Sequence, residues 1–134
     1  MPDTHMPIDT LANARALAPE LAARAAEMEE VRRLPADLAA KLAQAGVFRM
    51  ITPKSFGGLE LAPHDFVETV EAVATANASA GWCAMIGATT AMNAAYMAPA
   101  TAGEIYSDPD TITGGVFAPM GKAVYEGDHY RVSG

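Results

Sequence analysis

Between residues 46 and 61 the chain reads Gly-Val-Phe-Arg-Met-Ile-Thr-Pro-Lys-Ser-Phe-Gly-Gly-Leu-Glu-Leu, a stretch punctuated by proline and glycine. It lies between segments whose apolar residues recur at helical spacing. A residue that precedes proline avoids helical angles, so Thr52-Pro53 ends whatever element comes before it. Gly57-Gly58 then supplies a turn that tolerates positive φ. The connector therefore separates the helical segments on either side of it.

The helices on either side follow from periodicity. Leu11, Ala14, Ala18, Leu21, Ala25 and Met28 alternate steps of three and four, which puts them on one stripe. Asp9 or Thr10 caps the start, and Pro19 is expected to kink this helix or split it in two. Glu27, Glu29, Glu30, Arg32 and Arg33 read as a solvated charge cluster. Pro35 suits a first helical position; Leu38, Leu42 and Ala45 line one side, and Gly46 supplies a left-handed cap. Val47 to Ile51, apolar and partly β-branched, is expected to be a buried extended segment, with Phe48, Met50 and Phe56 plugging the core. Pro63 to Asn77 forms a second amphipathic helix with Phe66, Val70 and Val73 inward and Glu68 and Glu71 outward. His64, in its first turn, reads as a solvated or capping residue.

Ser79 is expected to cap the next helix, which is rich in alanine and carries Trp82, Met85, Ile86, Thr89, Thr90, Asn93 and Tyr96. Its large flat groups stand beside hydroxyls and an amide, and polar groups of that kind need partners when buried. These residues alone fit plain core packing as well as a ligand wall. Cys83 reads as a small buried residue. A short helix from Pro99 to Tyr106 follows. Asp108-Pro109-Asp110 breaks it, and the period then becomes strand-like: Thr111 to Ala118, Ala123 to Tyr125 and Tyr130 to Ser133, separated by turns at Pro119-Met120-Gly121 and Gly127-Asp128.

Composition narrows the function classes. The 134 residues, 51% hydrophobic, suffice for one compact domain. A net charge of −7 lacks the basic face that nucleic acid or an anionic membrane would require. One cysteine excludes an internal disulfide, no Cys/His group has zinc spacing, and a cytoplasmic setting is the simplest. The amino terminus has no secretory pattern, and Ala78 to Ala98 holds too many polar and small residues to span a bilayer. No metal cluster, Ser/His/Asp set or phosphate-binding loop is present.

The helix–connector–helix order around Phe56-Gly57-Gly58 resembles the amino-terminal region of the acyl-CoA dehydrogenase superfamily. Ser79-Ala80-Gly81-Trp82, the run Gly-Val-Phe-Ala-Pro-Met-Gly-Lys-Ala from Gly115 to Ala123, and Tyr130-Arg131-Val132-Ser133-Gly134 are similar to its flavin-dependent monooxygenase branch, the oxygenase components of two-component aromatic hydroxylases. Where dehydrogenases of this superfamily usually show Thr-Glu-Pro followed by Gly-Ser, this chain has Phe117-Ala118-Pro119 and then Gly121-Lys122-Ala123, which departs from the acyl-CoA pattern.

The resemblance implies a mainly α fold: a flexible arm at 1–9, a helical amino-terminal domain at 10–110, and the first strands of an incomplete β-domain at 111–134. It implies FAD or FMN as cofactor, delivered reduced by a separate flavin reductase, and a small aromatic substrate. It also implies a homotetramer in the full-length enzyme. By the same resemblance Trp82, Ile86, Thr89, Thr90 and Asn93 bind the substrate, and Val116, Phe117, Ala118, Pro119 and Gly121 lie against the flavin. The pocket plan is apolar walls with few polar anchors, closed to water. The catalytic residues of the superfamily fall beyond Gly134, so the chain alone is expected to be inactive and to bind flavin weakly. Two other functions fit less closely: an FAD-dependent acyl-CoA dehydrogenase, and a non-catalytic helical interaction module docking through the Leu11 to Met28 stripe.

Overall fold

The computed structural model describes residues 8–116 and 118–134. Among the described residues six α-helices precede a β-hairpin: α1 Thr10–Ala23, α2 Ala25–Val31, α3 Ala36–Gln44, α4 Pro63–Ala76, α5 Ala78–Ala91, α6 Pro99–Tyr106, then β1 Lys122–Tyr125 and β2 Tyr130–Ser133. The fold is mainly α. No described helix is long and apolar enough to cross a membrane.

Helix α4 is the centre of the bundle and packs against α1 on one side and α5 on the other. The core joins the α1–α2 stripe (Ala14, Leu21, Met28) to Leu38 and Leu42 of α3, Val73 of α4, and Ala80, Ala84 and Ala88 of α5. Leu21, Leu42 and Val73 have no exposed surface at all. The many small residues of α5 have a geometric cause. A Cβ on Gly81 would sit 2.4 Å from Ala74 Cβ, so these two helices approach as closely as they do because position 81 lacks a side chain.

Several local readings change. Pro19 neither splits nor ends α1, which continues to Ala23; the break falls at Arg24, whose amide still reaches Glu20 O at 3.1 Å. The buried stripe on either side holds the helix together past the missing donor. Pro35 serves as the N-cap of α3, one position before the first helical residue. Gly46 does adopt the left-handed conformation, with φ 86°.

Val47 to Ile51 is buried or half-buried but not extended: Val47–Arg49 forms a 3₁₀ turn tied by Arg49 N to Gly46 O at 3.1 Å. The left-handed glycine starts a tight turn that local β propensity does not override. The connector closes on itself through Leu59 N to Arg49 O and Leu61 N to Met50 O. Gly58 is required there, since a Cβ would lie 1.9 Å from Thr52 O. Asn77, not Ser79, caps α5, its side chain accepting from Ala80 N at 2.9 Å. A backbone at φ −156° and ψ 117° puts Asn77 outside the helix, whereas Ser79 is already within its first turn.

The largest change lies in residues 111–116, which run as irregular chain rather than as a strand. They have no ladder partner among the described residues, and strand propensity without a neighbour to bond does not make a strand. The two later strands form as read, pairing antiparallel in the register Lys122↔Ser133 to Tyr125↔Tyr130. All eight of their residues are exposed.

A charge cluster clamps the bend between α1 and α2 onto α3. Arg24 donates to Glu27 at 2.7 Å and to Asp37 at 3.0 Å, while Lys41 holds both oxygens of Glu20 at 2.6 and 2.8 Å. Hydrogen bonding to Arg24 holds the Glu27 and Asp37 carboxyls below the ordinary range, and bonding to Lys41 does the same for Glu20. Glu27 behaves as part of this clamp, while Glu29, Glu30, Arg32 and Arg33 stay exposed as expected of a solvated cluster.

Candidate functional site

Helix α5 builds the site because its two sides differ. Ala80, Ala84, Ala88 and Ala91 face the bundle. Trp82, Ile86, Thr89, Asn93 and Tyr96, spaced by steps of four and three, follow the opposite side into the 3₁₀ turn Met92–Tyr96. The indole of Trp82 is 64% exposed and the ring of Tyr96 81%.

Trp82 and Ile86 border a groove of about 350 Å³ whose other walls are Leu34 and Ala39 from around α3, Phe48 from the connector, Cys83 and Gly87 from α5, and Ile112 and Thr113. Gly87 gives the groove its floor: a Cβ there would come within 2.5 Å of the Phe48 ring and 3.5 Å of Ile112. A second groove of about 500 Å³ shares Trp82 and Cys83 and reaches Met28, Arg32 and Arg33. The indole thus belongs to both.

The polar residues of the helix divide. Thr89 Oγ1 donates back to Met85 O at 2.8 Å, and Asn93 is exposed on the 3₁₀ turn, away from the groove lining. Thr90 is only 8% exposed. Its hydroxyl lies 2.8 Å from Ile86 O, 2.9 Å from Thr113 O and 3.0 Å from Thr113 Oγ1, so protein groups already surround it. Of the residues read as meeting the flavin, Val116, Ala118, Pro119 and Gly121 are exposed and do not line the groove; Phe117 lies outside the described residues.

The groove residues that sequence reasoning left out are Leu34, Ala39, Cys83, Gly87, Ile112 and Thr113, while Phe48 was read only as a core plug. One signal for Gly87 was available: a glycine inside a helix costs about 1 kcal/mol against alanine, which argues for a close approach of some other group. For Ile112 and Thr113 no local signal exists, because their place depends on how the chain returns over α5.

The geometry describes an apolar, aromatic-walled groove on a helical bundle, and comparison with known proteins gives it a context. Residues 9–102 match the family "Acyl-CoA dehydrogenase, N-terminal domain", and the chain belongs to that family. Along 130 residues it is 35% identical to a pigment production hydroxylase of Rhodococcus erythropolis, over 96% of this chain and 33% of that protein. To an indole-3-acetate monooxygenase of Pseudomonas putida it is 36% identical, over 84% of this chain and 29% of the other. The crystal structure of 3-HSA hydroxylase from Rhodococcus sp. RHA1 superposes with a TM-score of 0.87 at 30% identity, covering 97% of this chain and 33% of that one. The chain spans about a third of the length of these relatives.

Proposed function

We propose that this chain is the helical amino-terminal domain (10–110), with the opening strands of a β-domain (111–134), of the oxygenase component of a flavin-dependent monooxygenase. Such an enzyme hydroxylates a small aromatic or heterocyclic substrate with O2 and reduced flavin supplied by a separate reductase. It works in the cytoplasm as a tetramer. One observation carries the reading: the groove beside Trp82 is apolar, is walled by aromatic and aliphatic side chains, and lies in a chain whose relatives are named as hydroxylases and monooxygenases.

The residues fit both components. A flat ring fits against the indole and Phe48, and the almost wholly apolar lining suits an aromatic substrate. Val116, Ala118, Pro119 and Gly121, all exposed, would face an isoalloxazine edge. Bound reduced flavin would supply the activation of oxygen. Trp82 and Ile86 would orient the substrate ring, and Thr89 and Asn93, on the same side of the helix, would meet substituents that project from the groove.

The test is turnover by the protein in its full-length form. FMNH2 and FADH2, each generated by a flavin reductase and NADH, are supplied in parallel with indole-3-acetate or 4-hydroxyphenylacetate as probes, and hydroxylated product is measured against O2 consumed. Product with either flavin supports the reading and selects the cofactor. Anaerobic bleaching of a bound FAD by an acyl-CoA would overturn it in favour of a dehydrogenase.

A further inference from the structure

Two walls of the groove belong to segments remote in sequence. Trp82, Cys83, Ile86 and Gly87 come from α5, and Ile112 and Thr113 from the irregular chain that leads toward residues 116–121. What joins them is Thr90. Its hydroxyl meets both the carbonyl and the hydroxyl of Thr113, at 2.9 and 3.0 Å, and its Cγ2 lies 3.2 Å from where a Cβ on Gly115 would be. One side chain therefore bonds one residue of the returning segment and leaves little room at another. Thr111 N to Asp108 O, at 3.1 Å, anchors the same segment at its start, beyond the groove.

The hydrogen bonding is internally complete. A hydroxyl carries one proton and accepts through two lone pairs. With Thr113 Oγ1 donating to Thr90 Oγ1, the Thr90 proton is free for Thr113 O or Ile86 O, and neither hydroxyl keeps a proton for a ligand. Valine at 90 would keep the volume and lose every one of these bonds, while serine would keep the bonds and lose only Cγ2. The Thr90–Thr113 bond thus bears directly on the groove wall that Ile112 and Thr113 form.

We propose that Thr90 is a positioning residue. It does not touch substrate but clamps the 111–115 segment to α5, setting the width of the aromatic groove and the approach of the flavin-side chain to it. The functional half of this proposal rests on the monooxygenase reading; the clamp itself does not.

Backbone order parameters from ¹⁵N relaxation on the 134-residue chain test the clamp without turnover. In Thr90→Val, residues 112–115 are expected to fall from the rigid range near about 0.85 to below about 0.6, with the helices unchanged. Thr90→Ser restores them. Thr113→Val, which removes the second hydroxyl from a less buried position, lowers them in the same residues and stands in if Thr90→Val does not fold. Unchanged order parameters in both valine variants, or a loss in Thr90→Ser equal to that in Thr90→Val, overturn the clamp.

In the full-length enzyme Thr90→Val should raise the fraction of O2 released as H2O2 by about two- to tenfold, the range expected for the net loss of the tie between Thr90 and Thr113, and raise KM for the aromatic probe. Thr90→Ser brings both back. Unaltered coupling with a loosened segment overturns the positioning role. A wild-type enzyme that hydroxylates nothing overturns the functional reading instead, and the order parameters still decide the clamp.

Discussion

Helix α5 shows two opposite solutions on one element. Its inner side is alanine and glycine pressed against α4, with Ala84 and Ala88 fully buried. Its outer side holds the chain's only tryptophan, left 64% exposed, with Ile86 one turn on and Tyr96 81% exposed further along. Small residues let two backbones approach, and dispersion over that contact supplies the stability. Large exposed residues add little to it, and an apolar groove with an exposed indole at its edge marks a binding surface. The inner side thus holds the fold, and the outer side presents a surface to something else.

Stability measurements should separate the two. Leu42→Ala, at a fully buried position, is expected to lower unfolding free energy by about 2–5 kcal/mol in urea titrations followed by circular dichroism. A cost under about 1 kcal/mol would mean the bundle core is loosely packed and the contrast false. Gly87→Ala sits at the boundary between the sides and should cost about 1–3 kcal/mol as Phe48 is displaced. Trp82 fluorescence in the same variant should shift, because the groove floor rises beneath it.

A smaller effect concerns the clamp on the α1–α2 bend. Glu20, Glu27 and Asp37 have folded pKa values depressed by Lys41 and Arg24, so their contribution is complete above the ordinary carboxylate range and is lost as pH falls through the lower folded values. Thermal melts between pH 6 and about pH 2.5 should show this loss on the acid side, and Arg24→Gln should flatten it. A profile unaltered by that substitution would remove the clamp from the account. Because the groups are exposed, the effect is modest and should shrink in high salt.

The smallest expected change in stability is the most informative. Trp82→Ala should leave the melting midpoint nearly where it was, within about 0.5 kcal/mol, while binding of an aromatic probe to the groove is lost by isothermal titration. A large drop in stability with binding intact would reverse the comparison and make the indole a core residue.

Much of this was legible in the residues themselves. Helical spacing found the Leu11 to Met28 stripe and the faces of α3 and α4, Gly46 announced its left-handed turn, and Gly127-Asp128 marked the turn between the two late strands. The resemblance carried by the helix–connector–helix order around Phe56-Gly57-Gly58 pointed to the family that residues 9–102 match. Local rules failed where a partner decides the outcome: residues 111–116 of the expected strand have no neighbour to bond among the described residues, and Val47–Arg49 winds into a 3₁₀ turn behind Gly46.

The sequence by itself determined the helices, their buried faces and the family, because periodicity, caps and turn residues act over a few positions. Only the tertiary structure decided that Thr90 turns to Thr113 rather than to open space, that Gly87 makes room for Phe48, and that Ile112 completes the groove with Trp82. Those contacts join residues more than twenty positions apart, and no local preference encodes the path by which a chain comes back over its own helix.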